Sequence, residues 1–578
     1  VRPSFLTRNI GFSAALRPNA WDLAAFPLVL GVIWALAFSS IQMGLPYNVG
    51  DPTPIHLEPA YLPYYLMRSI LRMGAGLVCA LTFTLVYATL AAKSRYAEKI
   101  LIPILDILQS VPIFTFEAVS IAPFISLFPG SLFGVECASI FAIFTSQAWN
   151  MTFSFYQSLR TVPHDMKEAA EMFHLSTWQR FWRLELPFSA NPLIWNMMMS
   201  VSGGWFFVVS SEALTVSGQS VMLPGIGSYI AVAIAERNLT AIIYAILAML
   251  VAILLYDQLF FRPLLAWGDK FKYESMPGED VPESRFLTFM QRTRLVRKLS
   301  EIPTALWNWS LPIFRRRSDR LGKPIERKRE RQWIETAWNA AIALTAAYAL
   351  IRIGEFVNGE VSYHEVLEVF GKAAVTAVRV LVLIALASLV WVPIGVWIGL
   401  RPRVAQMVQP VAQFLAAFPV NLVWPVAVVG ILKFHLNVNI WTSPLMILGT
   451  QWYILFNVIA GASAIPTDLK DAAGNFGVKG WLRWKRMILP AIFPSYVTGA
   501  ITASGGSWNV SIYSEYVSWG ETNLVATGVG AYIFENSAKG DFPRIALGTG
   551  VMVMFVMLFN RQIWRRLYKL AEERWRIE

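Results

Sequence analysis

Apolar runs of about twenty residues recur along the whole chain, separated by short polar or charged segments. A helix of that length crosses the hydrocarbon core of a bilayer. Six runs fall roughly at 24–44, 69–92, 101–128, 135–157, 193–217 and 238–261. Six more fall at 335–354, 373–400, 406–432, 439–460, 495–517 and 543–563. The pattern predicts an all-α polytopic membrane protein of about twelve transmembrane helices. Between the two sets lies the most charged segment, Gly268 to Trp333, with 16 Lys and Arg against 9 Asp and Glu. It reads as a solvated connector beside anionic headgroups.

The runs repeat as well as recur. At an offset of 303, Glu168-Ala169-Ala170 matches Asp471-Ala472-Ala473, and Leu186-Pro187 matches Leu489-Pro490. Trp149 and Trp452, Trp205 and Trp508, Ser211-Glu212 and Ser514-Glu515, and Gly225, Gly227 and Tyr229 with Gly528, Gly530 and Tyr532 share that offset. Further upstream the offset is 307, pairing Arg72 with Arg379 and Pro112 with Pro419. The expected domains are a first repeat over 1–262, a linker over 263–334 and a second repeat over 335–578. With six spans each, both halves start on the same side, so the repeat is parallel and its axis runs along the membrane normal. Such a pair builds a pore or cavity at its interface.

Composition removes the soluble alternatives. The chain is 56% hydrophobic and 15% charged, too apolar for a globular protein of 578 residues. The net charge of +12 could suggest nucleic acid, but the basic residues cluster between apolar runs. They place the sides by the positive-inside rule. Arg2, Arg8 and Arg17 precede the first run, whereas Gly44 to Met67 and Gly354 to Gly371 contain no Lys or Arg. Lys93, Arg95 and Lys99, Arg401 and Arg403, and the tail with Arg565, Arg566 and Lys569 lie on the basic side. Both termini and the linker are thus expected in the cytoplasm. The first run is long enough to be a true span and not a cleavable leader. Cys79, Cys137 and the five histidines show no disulfide or metal-ligand spacing.

The third basic-side segment of each half carries the chemistry of a docking element. One runs from Glu168 through Ala169, Ala170 and His174 to Leu186-Pro187, the other from Asp471 through Ala472, Ala473 and Gly477 to Leu489-Pro490. Ala170, Phe173, Thr177, Phe181 and Leu184 fall at helical spacing. The segment predicts a short helix, a tight turn that glycine eases, and a second helix, with the proline suited to the start of the next helix. It resembles the EAA loop of bacterial ABC-importer permeases, whose pattern is E-A-A, three residues, G, nine residues, I-x-L-P. The departures are His174 for the glycine, Asp471 for the glutamate, and Leu184 and Met487 for the isoleucine.

The segments WFFVVSSE (Trp205 to Glu212) and WNVSIYSE (Trp508 to Glu515), followed by Gly225-Ile-Gly227 and Gly528-Val-Gly530, are similar to permeases of the nitrate, taurine, sulfonate and bicarbonate group. The resemblance implies a type I importer fold, a fused pair of permease domains, and loops that seat on two cytoplasmic ATPase subunits. It also implies an external substrate-binding protein and a small polar or anionic solute. Membrane lipid is the other partner, and no nucleic acid is expected. The chain has no glycine-rich phosphate loop: Gly371-Lys372 is followed by Ala373 and Gly322-Lys323 by Pro324. No cofactor is therefore expected in this chain, and ATP with Mg belongs to the partner ATPase. An ion-gradient carrier with two six-span halves is the alternative, but it has no need of paired docking loops.

Ionisable groups inside spans are functional by default. Glu212 and Glu515 close the fifth and eleventh runs, with Trp205 and Trp508 two helical turns earlier on the same face. Either these four residues line the pathway, or the glutamates pair with Arg72 and Arg379 and hold helices together. Asp106, Gln109, Gln413, Trp149, Trp452, Gln451 and Asn457 are further polar or aromatic candidates. Gly225, Gly227, Gly528 and Gly530 are expected to shape re-entrant turns on the external side.

Overall fold

The computed structural model describes residues 20–47, 54–216, 219–268, 285–293, 361–463, 467–520 and 522–574, with position 465 and scattered positions between 338 and 359. Backbone contacts divide the chain into two compact units, one of 1–42, 157–195 and 255–325, the other of 43–156, 196–254 and 326–578. In the first unit the helices Ala20–Met43 and Arg285–Arg292 meet through the rings of Trp21 and Phe289, 5.8 Å apart, with the Arg292 guanidinium over Trp21. The second unit holds the helices of both repeats that surround the central cavity.

Among the described residues, seven helices are long and apolar enough to cross a membrane, or nine if each of two bent pairs is one span. The seventh expected run, 335–354, lies mostly outside the described residues. The third expected run is not one straight helix. Arg95–Ser110 and Ile113–Leu127 meet at 98°, because Val111 precedes Pro112 and is held extended (φ −75°, ψ 130°). The second copy breaks at the equivalent place, between Pro402–Ala417 and the turn at Val420–Leu422 that leads into Trp424–Lys433, before Pro419.

The run at 193–217 ends early. Its helix stops at Ser211, and the remainder is a strand of a two-stranded hairpin, β1 (Ala213–Val216) with β2 (Gln219–Met222). The second copy ends the same way, with a helix to Ser514 and a hairpin of β3 (Tyr516–Trp519) and β4 (Thr522–Val525). The bounds differ by the same 303 that separates the motifs.

The prolines of the loops do not start new helices. Thr177 to Ser211 is one continuous helix, and so is Gly480 to Ser514. Each absorbs its proline through a π turn just before it, where the Leu186 N–H donates to the Phe181 carbonyl and the Leu489 N–H to that of Trp484. The wider turn accommodates a residue that has no N–H to give. Further π turns at Asp257–Phe261 and Asn560–Trp564 are also equivalent in the two copies.

Helices approach closely where side chains are smallest, as packing in lipid requires. On Tyr363–Gly399, a Cβ at Gly395 would sit 2.8 Å from Val458, and one at Gly399 would sit 2.6 Å from the Ile459 carbonyl. Gly499 faces the Tyr453 carbonyl at 2.7 Å in the same way. We expect Gly399→Leu to be disruptive, by about 1–3 kcal/mol or more. Gly371→Ala, on the same helix with open space around it, should be neutral or stabilising. The fraction of monodisperse protein in detergent and its melting temperature distinguish the two.

Candidate functional site: the loops, the buried carboxylates and the cavity

Each loop is a helix, a turn and a helix. His164–Met172 and Thr467–Asn475 end in turns whose key residue has a left-handed backbone, His174 at φ 52° and Gly477 at φ 63°. In the first copy the Leu175 N–H donates to the Ala170 carbonyl and the His174 N–H to that of Glu171. In the second, Val478 donates to Ala473 and Gly477 to Gly474. These are paired Schellman caps, so the substitution of histidine for glycine leaves the turn geometry unchanged. Glu168 and Asp471 are exposed, with Glu168 3.1 Å from His164. Ala170 is buried, and Ala169, Ala472 and Ala473 are half-buried. The turns present large apolar side chains to solvent: Phe173 is 77% exposed and its equivalent Phe476 85%.

Both glutamates after the long helices are fully buried, and both sit on the N-terminus of the next helix. Glu212 accepts from the Gly227 N–H at 2.7 Å, Ser69 Oγ at 2.6 Å and Arg72 at 2.7 Å. Glu515 accepts from the Gly530 N–H at 2.8 Å, Thr376 Oγ1 at 2.7 Å and Arg379 at 3.0 Å. A carboxylate there meets free N–H groups and the positive end of the helix dipole. The glycines let it in. A Cβ at Gly225 or Gly528 would lie 2.3 or 2.1 Å from a carboxylate atom. The four glycines therefore serve the carboxylates, a role that sequence reading did not give them.

Sequence reading also missed half of the first network. Arg72 bridges Glu212 to Glu136, at 2.5 Å, and Arg68 pairs with Glu136 as well. In the second copy Arg379 reaches Asn439, which stands where Glu136 does, and Val375 replaces Arg68. The copies have lost or gained a cation and an anion together, so each network holds equal numbers of the two. Glu136 lies inside an expected span, and that alone was the available signal.

Between the copies, within the second unit, lies a cavity of about 270 Å³. The helices Leu186–Ser211 and Leu489–Ser514 both line it, the first from Ser200 to Phe207 and the second from Ile501 to Val510. Trp508 faces it, whereas Trp205 is buried and absent from the lining. Gln109 and Trp149 are in the lining. Of the other candidates, Gln451 accepts from the Trp391 indole, Asn457 donates to the Tyr453 carbonyl and Asp106 accepts from Gln109. Trp452 packs on Trp391, and the side chain of Gln413 lies outside the described residues.

Toward the glutamate end, rings from the two copies meet. Phe206 lies 5.7 Å from Trp424 and 5.2 Å from Tyr513, and Phe114 lies 5.3 Å from Tyr513. The Tyr513 hydroxyl donates to the buried Glu117 at 3.0 Å across the same seam. Sequence reading did not single out Glu117, although it too lies inside an expected span.

Two like halves around one cavity, each carrying the same loop, define a paired-repeat membrane permease. The profile of the family described as "Binding-protein-dependent transport system inner membrane component" matches residues 73–261 and again 392–576. The chain belongs to that family and carries its domain twice, as a fused ABC-transporter permease. It is similar to the nitrate import permease protein NrtB of Synechocystis sp., at 23% identity over 241 residues, 40% of this chain and 82% of that protein. The bicarbonate transport system permease protein CmpB of Synechococcus elongatus is 28% identical over 152 residues, 26% of this chain and 51% of CmpB. The glycine betaine/carnitine transport permease protein GbuB of Listeria monocytogenes is 25% identical over 170 residues, 29% of this chain and 54% of GbuB. The chain thus spans about half the length of the last two.

Two outcomes follow from the geometry. Arg72→Ala leaves Glu212 buried without its cation and should cost about 3–5 kcal/mol. Arg379 is 11% exposed, so Arg379→Ala should cost less, and thermal unfolding in detergent ranks the pair. His174→Gly should relieve about 1 kcal/mol of left-handed strain, seen as slower hydrogen exchange at the Leu175 amide.

Proposed function

We propose that this chain forms the translocation pathway of an ATP-driven importer in a bacterial inner membrane, with both termini and the linker in the cytoplasm. Two ATPase subunits or domains, which hold the ATP and Mg, seat on the loops around Glu168-Ala169-Ala170 and Asp471-Ala472-Ala473. An external binding protein delivers a small polar or anionic solute. The observation that carries this reading is the pair of Schellman turns, each offering an exposed phenylalanine beside a capped helix. Exposed apolar side chains grouped this way favour a partner surface. The positive-inside asymmetry supports the orientation, and the names of NrtB and CmpB support an anionic cargo.

The pathway runs through the cavity. Phe206, Tyr513 and Trp424 close it toward the glutamate end, and of the two tryptophans offered as lining, only Trp508 faces it. Glu212 and Glu515 act as structural ties there, and their pairing with arginine balances charge that would otherwise repel an anion passing nearby.

Purification of the tagged chain in mild detergent, with mass spectrometry and an ATPase assay, tests the coupling. A protein bearing a phosphate-loop motif should co-elute in about two copies per chain, the number of docking loops that sequence repetition supplies. The double variant Glu168→Arg/Asp471→Arg should strip it and abolish ATPase activity while elution of the chain is unchanged. Retention of the ATPase by that variant would remove the loops from the interface.

A further inference from the structure

We propose that the hydrogen bond from Tyr513 to Glu117 is a releasable latch that holds the outer closure of the cavity shut. The proposal rests on the reading that Phe206, Tyr513 and Trp424 close the pathway toward the glutamate end.

Five glutamates are buried among the described residues: Glu117, Glu136, Glu185, Glu212 and Glu515. Four of them pair with an arginine of their own repeat. Arg68 and Arg72 hold Glu136, Arg180 holds Glu185, Arg72 holds Glu212 and Arg379 holds Glu515. Glu117 differs in both respects. Its partner lies in the other repeat and is a neutral hydroxyl, which donates to Oε2 at 3.0 Å, while Oε1 has no partner. Separating a buried ion pair leaves an uncompensated charge and is strongly unfavourable. Losing one hydrogen bond to a hydroxyl costs far less. The ties within each repeat are therefore of a kind that stays made, and this tie between the repeats is of a kind that is made and broken.

The latch ends a strap that exists on one side of the seam. Past the 98° break, alternate residues at the start of the helix Ile113–Leu127 reach the second repeat. The Ile113 N–H donates to Asn509 at 2.8 Å, Thr115 Oγ1 lies 2.9 Å from Thr549 Oγ1, and Glu117 accepts from Tyr513. Between them Phe114 stacks on Phe534 at 5.5 Å. At the offset of 307, Val420, Leu422 and Trp424 stand in place of Ile113, Thr115 and Glu117. At 303, Phe206, Ile246 and Ser210 stand in place of Asn509, Thr549 and Tyr513. The side chains of Val420 and Leu422 form no hydrogen bonds, the Trp424 indole N–H has no partner, and Trp424 meets Phe206 ring to ring. Ser210 instead hydrogen-bonds the Tyr513 hydroxyl, where the two long helices meet. Asn509 and Tyr513 lie on the helix Gly480–Ser514, so the second repeat offers the strap from the element that also carries its loop turn.

The test uses the full chain in sealed membrane vesicles without ATP. Asn150, exposed and in the cavity lining, is the reporter as Asn150→Cys in a Cys79→Ala/Cys137→Ala background. A membrane-impermeant maleimide should label it slowly in right-side-out vesicles and readily in membranes opened to both sides. Tyr513→Phe and Glu117→Leu each remove the bond and should speed labelling of right-side-out vesicles about threefold to tenfold, the effect of one hydrogen bond. The double variant should be no faster than Tyr513→Phe, because both changes remove one shared interaction. Glu117→Gln keeps an acceptor for the hydroxyl and should stay slow.

Unchanged labelling in well-folded Tyr513→Phe and Glu117→Leu, additive acceleration in the double variant, or Glu117→Gln as fast as Glu117→Leu would each overturn the latch. A reporter that reacts in opened membranes but is indifferent to these variants sinks the latch and leaves the pathway standing. A reporter that never reacts, even in opened membranes, sinks both.

Discussion

A carboxylate buried at the N-terminus of a helix, with an arginine across from it, organises each half of this molecule. Glu212 and Glu515 each follow a long cavity-lining helix, and their own carbonyls accept the N–H of Leu223 and Ala526 that closes each hairpin. One residue thereby joins the long helix and the hairpin through its backbone, and the following helix and the arginine-bearing span through its carboxylate. The cost of burying the charge explains the surroundings. Three or more donors converge on each carboxylate, and glycine stands wherever a side chain would block them. Such a site tolerates little change, because removing one partner leaves a buried charge without compensation. The exchange of Arg68 and Glu136 for Val375 and Asn439 shows the permitted route, in which cation and anion go together.

The same pairing decides where asymmetry can enter. The seats of Glu212 and Glu515 on the next helix and the loop turns keep their geometry in both copies, although His174 stands where the second copy has Gly477. The lining and the seam do not. Phe206 and Asn509 are repeat equivalents, yet the first packs on Trp424 and Tyr513 while the second accepts the Ile113 N–H at 2.8 Å. Glu117 corresponds at the offset of 307 to Trp424, so one copy has a carboxylate where the other has an indole. Fusion of two domains in one chain frees the halves to diverge where they meet each other. Two identical chains would have to present the same residue twice.

Most of the architecture was legible in the sequence, because lipid imposes it. Apolar runs gave the spans, and the recurrence of Trp, Gly, Pro and Glu gave the repeat. What was not legible arises where backbone and side chain compete locally. The break at Val111-Pro112 lay inside an unbroken apolar run. The hairpins were read as helix because Ala213–Val216 is as apolar as the turns before it. Pro187 and Pro490 looked like helix starts, since a π turn has no compositional mark. At the site, pairing of the glutamates with Arg72 and Arg379 was one of the two readings left open, because a charge in a span must find a partner. Glu136 and Glu117 were passed over, because neither repeats: Asn439 and Trp424 stand in their places. Repetition found the shared frame and was blind to what distinguishes the copies.

The π turns have a mechanical consequence. Because Pro490 is absorbed and does not break the chain, the helix from Gly480 to Ser514 carries the loop turn at one end, the cavity lining in its middle and Glu515 at the other. A break at Pro490 would have let the loop hinge independently, as Val111 allows Ile113–Leu127 to turn through 98° from the helix before it. A continuous helix with its far end pinned by several hydrogen bonds cannot hinge there. A displacement of the loop must then move Trp508 and Asn509 against the seam, where ring contacts and hydrogen bonds resist it and small shifts resolve into discrete packings. The same turn precedes Pro187 in the first copy. Continuity through the proline thus joins the loop turn and the cavity lining of the second copy in one helix.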